Sequence, residues 1–162
     1  IANEFHLRFS IEHCTDGYLI VDELVRNHVQ CLLGPTVGGK GKIEARNKTF
    51  KAWQILENAG ITFGLITDAP FVPIEGQLLQ AALYVKNGLS REMALKCLTI
   101  NNAIITDIDS RVGSLEPGKD ADVVIWDVEP LATLSQVGIV IIDGQIAYRR
   151  KAGESNVDYQ KL

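Results

Sequence analysis

A histidine and an aspartate stand where two predicted strands end. His13 closes the alternating apolar and polar segment Leu7–His13, and Asp68 follows the apolar segment Ile61–Thr67. Catalytic groups in an α/β barrel collect at the carboxyl ends of the strands. An imidazole there can ligate a metal or polarise a carbonyl, and a carboxylate can ligate zinc and accept a proton from a metal-bound water. Taken alone, His13 can equally be structural, and an aspartate before Ala69-Pro70 is more often a turn or cap residue.

A glycine-rich loop offers a different chemistry. Gly34–Gly41 reads GPTVGGKG, which fits G-x-x-x-x-G-K and follows the apolar run Val29–Leu33. This arrangement is typical of a phosphate-cradling loop, so nucleotide or phosphate binding is an alternative function. The pattern is incomplete, because Gly41 stands where Ser or Thr would hold magnesium and Pro35 removes a backbone donor.

In a barrel, the same segment would be a long loop at the catalytic face. Lys40 and Arg46 are then predicted to contact the substrate. The alternative for both side chains is a solvated loop.

The elements that must position these groups alternate between strand-like and helix-like patterns. The predicted helices are Tyr18–Asn27, Ile43–Asn58, Gln77–Asn87 and Ser90–Thr99. With the three apolar segments they give the order β-α-β-α-β-α-α, which predicts a parallel sheet with right-handed crossovers. Ser90 is a suitable N-cap for the last helix.

The final third of the chain changes character near Thr106–Gly113. Asp122–Asp127 and Ile139–Arg149 read as strands, and the second is broken by the hairpin dipeptide Asp143-Gly144. We therefore expect two units, residues 1–106 and residues 107–162. The polar tail Lys151–Leu162 is predicted to be poorly ordered.

Bulk properties restrict the partners. The chain has 162 residues, a net charge of −4 and no basic footprint, so nucleic acid is not expected to bind. No apolar run reaches about 18 residues, so no membrane span is expected. Cys14, Cys31 and Cys97 form no C-x-x-C pair and predict reduced thiols in a cytoplasmic protein. The start at Ile1 suggests a processed, excised or engineered fragment.

Three segments resemble the amidohydrolase superfamily, in particular its imidazolonepropionase-like and related cyclic-amidase branch. Ile11–Cys14 (IEHC) resembles the sixth barrel strand with its histidine, and Leu65–Pro70 (LITDAP) resembles the eighth with its aspartate. Thr99–Ala103 (TINNA) and Gly113–Trp126 (GSLEPGKDADVVIW) resemble the passage from the last barrel helix into the β domain. This last match is the most specific, and the resemblance covers residues 1–150.

The resemblance implies an α/β fold: the last three strand–helix units of a TIM-type (β/α) barrel over residues 1–106. A β-rich segment of a composite β-sandwich domain follows. It also implies metal-dependent hydrolysis of a carbon–nitrogen bond in a cyclic amide or related small molecule, with zinc favoured and iron as the alternative. Asp68 matches the family's metal ligand and base. His13 matches the histidine that binds metal or contacts substrate. Its neighbour Glu12 should point the other way, because side chains alternate along a strand, so we expect it either to support a site residue from behind or to be structural.

One departure from the family pattern concerns the remaining ligands. The family's first strand carries a His-x-His pair, whereas the histidines here are His6, His13 and His28. A catalytic zinc site takes about three protein ligands and a water, so His13 and Asp68 are too few. The chain alone is therefore predicted to be inactive. The divalent metal is expected in a full-length parent, and its absence from this chain is left open.

The expected partners are a small-molecule substrate and the missing N-terminal half of the barrel. Three parallel strands cannot close a barrel, so unpaired edges also predict self-association. A non-catalytic structural or self-associating fragment is the third interpretation.

Overall fold

The computed structural model describes residues 1–151, so the predicted tail lies, apart from Lys151, outside the described residues. The helices in this range are α1 (Ala2–Phe5), α2 (Val21–Arg26), α3 (Ala52–Asn58), α4 (Gln77–Lys86), α5 (Arg91–Leu98) and α6 (Ile100–Ile105). The strands are β1 (Ser10–Ile11), β2 (Gln30–Leu33), β3 (Phe63–Leu65), β4 (Val123–Trp126), β5 (Val137–Ile142) and β6 (Gln145–Arg149). None of these helices is long and apolar enough to cross a membrane.

The first sheet is parallel and has the order β1-β2-β3. Its register places Ile11 beside Cys31 and Leu33 beside Leu65. Helix α2 lies between β1 and β2 in the chain, and α3 lies between β2 and β3, as parallel crossovers require. The predicted α/β class and the parallel alternation are confirmed.

The core lies between this sheet and its helices. Cys31 and Leu65 of the sheet are fully buried, as are Leu56 of α3 and Cys97 of α5. Tyr84 of α4 keeps 1% of its surface exposed. Burial of a side chain of this size contributes about 1.5–3 kcal/mol, so these contacts hold the strand ends in place.

The second sheet is antiparallel and has the order β4-β5-β6. Strands β5 and β6 are joined at Asp143 and Gly144, whose φ angles are 50° and 74°. Positive φ at both central residues is the type I′ geometry that Asp-Gly favours, so the predicted hairpin is confirmed.

Several predicted boundaries were wrong. The segment 43–58 is not one helix: a 3₁₀ turn at Ile43–Ala45 precedes α3, which begins at Ala52. Between them, Tyr18 donates to the carbonyl of Asn47 and Thr49 Oγ1 accepts from the Lys51 amide, bonds that compete with the helix.

Other elements are shorter than predicted or were missed. The strand ending before His13 is reduced to β1, and the helix near Tyr18 begins with a 3₁₀ turn over Gly17–Leu19. Helix α6 was not predicted as a separate element. Helix α4 and helix α5 were predicted to within one residue at each end, and the Ser90 hydroxyl caps α5 by accepting from the Met93 amide at 3.0 Å.

Candidate metal centre

His13 and Asp68 lie together at the carboxyl ends of β1 and β3. Both have left-handed backbones, with φ of 62° and 55°, so the chain turns sharply at each residue as it leaves the sheet. His13 Nε2 and Asp68 Oδ2 are 3.8 Å apart, and each side chain is 49% exposed. The two groups that the sequence singled out therefore face one position at the rim.

Cys14 occupies the other side of the same turn. Gly17 packs so closely on the Cys14 thiol that a Cβ at Gly17 would lie 2.1 Å from Sγ, with Leu24 next to it. Only glycine leaves this space, and the thiol is buried while His13 remains at the rim.

Cys14 and Cys31 are both buried in the core. The Cys31 thiol lowers the pKa of Cys14, whereas the Cys14 thiol, together with burial, raises the pKa of Cys31. Cys31 is thereby held as a neutral thiol. Cys97 is also free, and burial raises its pKa to about 12. The predicted burial of the three thiols is confirmed, and they form no metal-binding group of three or more side chains within residues 1–151.

The predicted substrate-binding residues lie elsewhere on the long loop after β2. Lys40 and Arg46 are both exposed, and neither lines the small recess beside His13. Lys48 and Thr49 line that recess, together with Tyr84. Sequence reasoning did not single out Lys48, which lies in the same loop without a motif of its own. The substrate contacts of Lys40 and Arg46 stay predictions.

Glu12 lies outside the His13–Asp68 pair. Its carboxylate is exposed and accepts a hydrogen bond from the Ser10 hydroxyl at 2.9 Å. This contact suits the structural role that the sequence suggested.

The glycine-rich loop does not have the geometry of a phosphate cradle. The Gly34 amide donates to the carbonyl of His13 at 3.3 Å, and the Thr36 amide donates to Gln80 Oε1 at 2.8 Å. These donors are used within the protein. No α-helix follows Lys40 directly, since the next turn of helix is the 3₁₀ segment Ile43–Ala45. The structure therefore gives no support to the phosphate-cradling interpretation of this loop.

The donor chemistry of the pair fits a divalent metal in part. An imidazole nitrogen and a carboxylate oxygen are ordinary zinc ligands, and two ligands about 2.0–2.1 Å from one tetrahedral ion lie about 3.4 Å apart. The 3.8 Å separation of His13 and Asp68 is close to that value. No cluster of three or more His, Cys, Asp or Glu side chains suited to a metal occurs within residues 1–151. Within these residues, His13 and Asp68 are the two ligands that the sequence predicted, at the spacing given above.

Comparison with known proteins finds sequence similarity along most of the chain. The sequence profile of the Amidohydrolase family matches residues 8–147. An amidohydrolase of Hapsidospora irregularis is 33% identical over 103 residues, which make up 64% of this chain and 10% of that protein. The imidazolonepropionase of Picrophilus torridus is 49% identical over 41 residues, or 25% of this chain and 10% of that protein.

A solved structure extends the comparison. The amidohydrolase from Thermotoga maritima MSB8 has 37% sequence identity and a TM-score of 0.88, over 92% of this chain and 39% of that one. The chain thus spans about two fifths of the length of this structure.

Proposed function

Since the chain belongs to the amidohydrolase family, we propose that it forms part of a metal-dependent hydrolase that cleaves a carbon–nitrogen bond other than a peptide bond. The proposed substrate is a cyclic amide or a related small molecule. The observation that carries the proposal is the 3.8 Å approach of His13 Nε2 to Asp68 Oδ2 at the carboxyl ends of two parallel strands. The identity to an imidazolonepropionase supports the substrate class.

Each of the two side chains has a role in this proposal. A divalent metal, with zinc favoured and iron as the alternative, would polarise the substrate carbonyl and acidify a water at this position. Asp68 would help to hold the metal and would accept the proton of the attacking water. His13 would be a second ligand, or would donate a hydrogen bond to the oxygen on which negative charge develops.

The remaining ligands are proposed to come from outside this chain. His13 and Asp68 are two donors, whereas a catalytic zinc site uses about three protein ligands. Strands β1, β2 and β3 would be the last three strands of a TIM-type barrel, and β4–β6 would belong to a composite sandwich. The N-terminal half of such a barrel would supply the other strands, and this chain alone would be inactive.

Titration of the complete amidohydrolase, including the rest of the barrel, with Co²⁺ tests this function. The ion is expected to bind with a visible absorption band, and Asp68→Asn and His13→Ala should each weaken binding at least about tenfold, because each removes one ligand. His28→Ala is the matched control, since His28 is exposed and lies at a helix end. Equal binding by the wild type and both variants would contradict the proposed site.

Activity provides the second readout. A hydrolase assay with imidazolone-type cyclic amides should show no turnover by this chain, and turnover when the rest of the amidohydrolase is present. Asp68→Asn in that complete enzyme should abolish hydrolysis, because the carboxamide cannot accept the proton of the water. An unchanged rate in that variant would remove Asp68 from the mechanism.

A further inference from the structure

Helix α4 places an uncharged polar side chain in the core behind the two rim residues. Gln80 has none of its surface exposed. Its Oε1 accepts from the backbone amide of Thr36 at 2.8 Å, and its Nε2 donates to the backbone carbonyl of Ile66 at 2.7 Å. Both ends of the side-chain amide are therefore bonded to backbone from two different loops.

One of these two segments leads to Asp68, and the other contacts His13. Ile66 is two residues before Asp68, at the end of β3. Thr36 belongs to the loop after β2, and two residues earlier Gly34 donates its amide to the carbonyl of His13 at 3.3 Å. A chain of direct contacts thus runs from His13 through Gly34 and Gln80 to the Asp68 turn.

Gly34 completes the contact because it has no side chain. Its φ is +118°, and a Cβ there would lie 2.4 Å from the Ile66 carbonyl oxygen and 2.8 Å from Gln80 Nε2. Any larger residue would push Gln80 and the β3 end away from the β2 loop. The close approach at Gly34 and the amide of Gln80 both join the loop after β2, the end of β3 and helix α4.

Packing alone does not account for a glutamine at this position. A buried amide is costly unless both ends are bonded, and Leu or Met would fill similar space without that cost. The amide supplies direction instead: it fixes where the Thr36 amide and the Ile66 carbonyl lie relative to each other. This fixes the separation of the strand ends on which His13 and Asp68 stand.

We infer that Gln80 is a positioning residue that, together with Gly34, holds His13 and Asp68 at the spacing of two ligands of one metal ion. The metal-binding role of this spacing rests on the proposed function. The spacing itself can be measured without a metal.

The first test compares Gln80→Met with Gln77→Met. Gln77 lies one turn earlier on α4 and donates to the Leu65 carbonyl at 2.6 Å. Gln77→Met therefore also removes a side-chain bond to β3, but Gln77, unlike Gln80, does not bridge β3 to the loop after β2. In the complete enzyme, Gln80→Met should weaken Co²⁺ binding about tenfold more than Gln77→Met does. Equal losses would overturn the inference, because they would assign Gln80 a stabilising role only.

The second test measures the spacing directly. In the background His13→Cys with Asp68→Cys, the thiol-bridging reagent dibromobimane should link the two introduced cysteines and become fluorescent. Gln80→Met should slow the bridging several-fold relative to Gln77→Met, and the single-cysteine backgrounds are the controls for the native thiols. Absence of Co²⁺ binding by the complete wild-type enzyme would reject the proposed function, whereas an unchanged bridging rate would reject the positioning role.

A glycine pair gives the same test without altering Gln80. Gly34→Ala should slow bridging, because the new Cβ meets the Ile66 carbonyl. Gly41→Ala, in the same loop, should not, because an added Cβ there would have no atom within 4 Å. Far-UV circular dichroism checks folding of each variant. If both Gln80→Met and Gly34→Ala fail to fold, the contact is a folding requirement and the positioning role is rejected.

Discussion

The two sheets of this protein differ in how much of themselves they bury. The β1–β3 sheet is covered by helices, and Cys31, Phe63 and Leu65 are 0–2% exposed. None of the residues in β4–β6 is buried, and β5 reads VGIVII, the continuous apolar run of a strand covered on both faces. The first sheet carries its own covering layer within residues 1–151, whereas the second has a composition suited to a layer that these residues do not supply.

The exposed apolar side chains of the second sheet lie on both of its faces. Cross-strand pairing places Val124, Val140 and Tyr148 on one face, and Ile139 lies beside Ile125 on the other. Val124, Ile125 and Tyr148 are 47%, 45% and 45% exposed. The difference between the sheets teaches that correct local structure does not require a complete core around every element.

The largest expected effect is a truncation in the first core. Leu65→Ala should lower the free energy of unfolding by about 2–5 kcal/mol, because Leu65 is fully buried and leaves a cavity. Ile142→Ala, at a position 51% exposed in β5, should cost less than about 1 kcal/mol. Urea denaturation of both variants measures the contrast. Similar losses would mean that the two sheets are equally buried in solution, and would break the comparison.

The second prediction concerns ionisation inside the first core. Burial raises the pKa of Tyr84 from 10.0 to about 12, so its neutral form is favoured in the folded protein. The resulting stability is fully present below pH 10 and is lost as the pH rises towards 12. By linkage the loss is about 2–3 kcal/mol.

The test uses Tyr84→Phe as the matched variant. At neutral pH this variant should be less stable by about 1 kcal/mol, since the Thr36 hydroxyl loses its partner at 2.6 Å. Between pH 10 and pH 12 it should lose less stability than the wild type. The ionisation of Cys97 is common to both proteins and cancels. Parallel loss of stability in the two proteins over this range would assign the alkaline transition to other groups.

Features of the β1–β3 sheet and its helices could be predicted from the sequence where their signal lies within a few neighbouring residues. His13 and Asp68 could be placed at one rim because both end apolar segments, and parallel strands end on the same side. Ser90 could be recognised as a cap because its bond to the Met93 amide needs only three residues of spacing. The metal-binding roles of His13 and Asp68 stay predictions.

Other features depend on contacts distant in sequence. The bond between Tyr18 and Asn47 interrupts the predicted helix 43–58 across 29 residues of sequence, and Gln80 reaches Thr36 across 44. Neither partner carries a local signal. The exposure of β4–β6 could not be predicted either, because the sequence pattern indicates that these residues form strands but not whether another layer covers them.

The third prediction uses the exposed sheet as a surface for self-association, which we propose for this chain. Val124→Lys should weaken association about tenfold, because it places a charge in the apolar face beside Val140 and Tyr148. Sedimentation velocity over a concentration series measures the effect. Gln54→Lys, on an exposed position of α3, is the control and should leave association unchanged. If the chain is a monomer at all concentrations, the proposed self-association is wrong, and this face would contact another partner instead.

The smallest expected effects compare local signals in the two regions, Ser90 at the start of α5 and Gly144 in the β5–β6 turn. Ser90→Ala removes the acceptor for the Met93 amide and should cost about 1 kcal/mol. Gly144→Ala forces a side chain onto a φ of +74° and should cost about 1 kcal/mol as well. Gly138→Ala in β5, where φ is not left-handed, should cost less. Thermal denaturation of the three variants measures these costs.

Equal costs at Ser90 and Gly144 mean that both regions are specified equally well by local sequence, so the contrast between the sheets arises from tertiary burial alone. A negligible cost at Gly144 would instead mean that the hairpin is only weakly formed in solution.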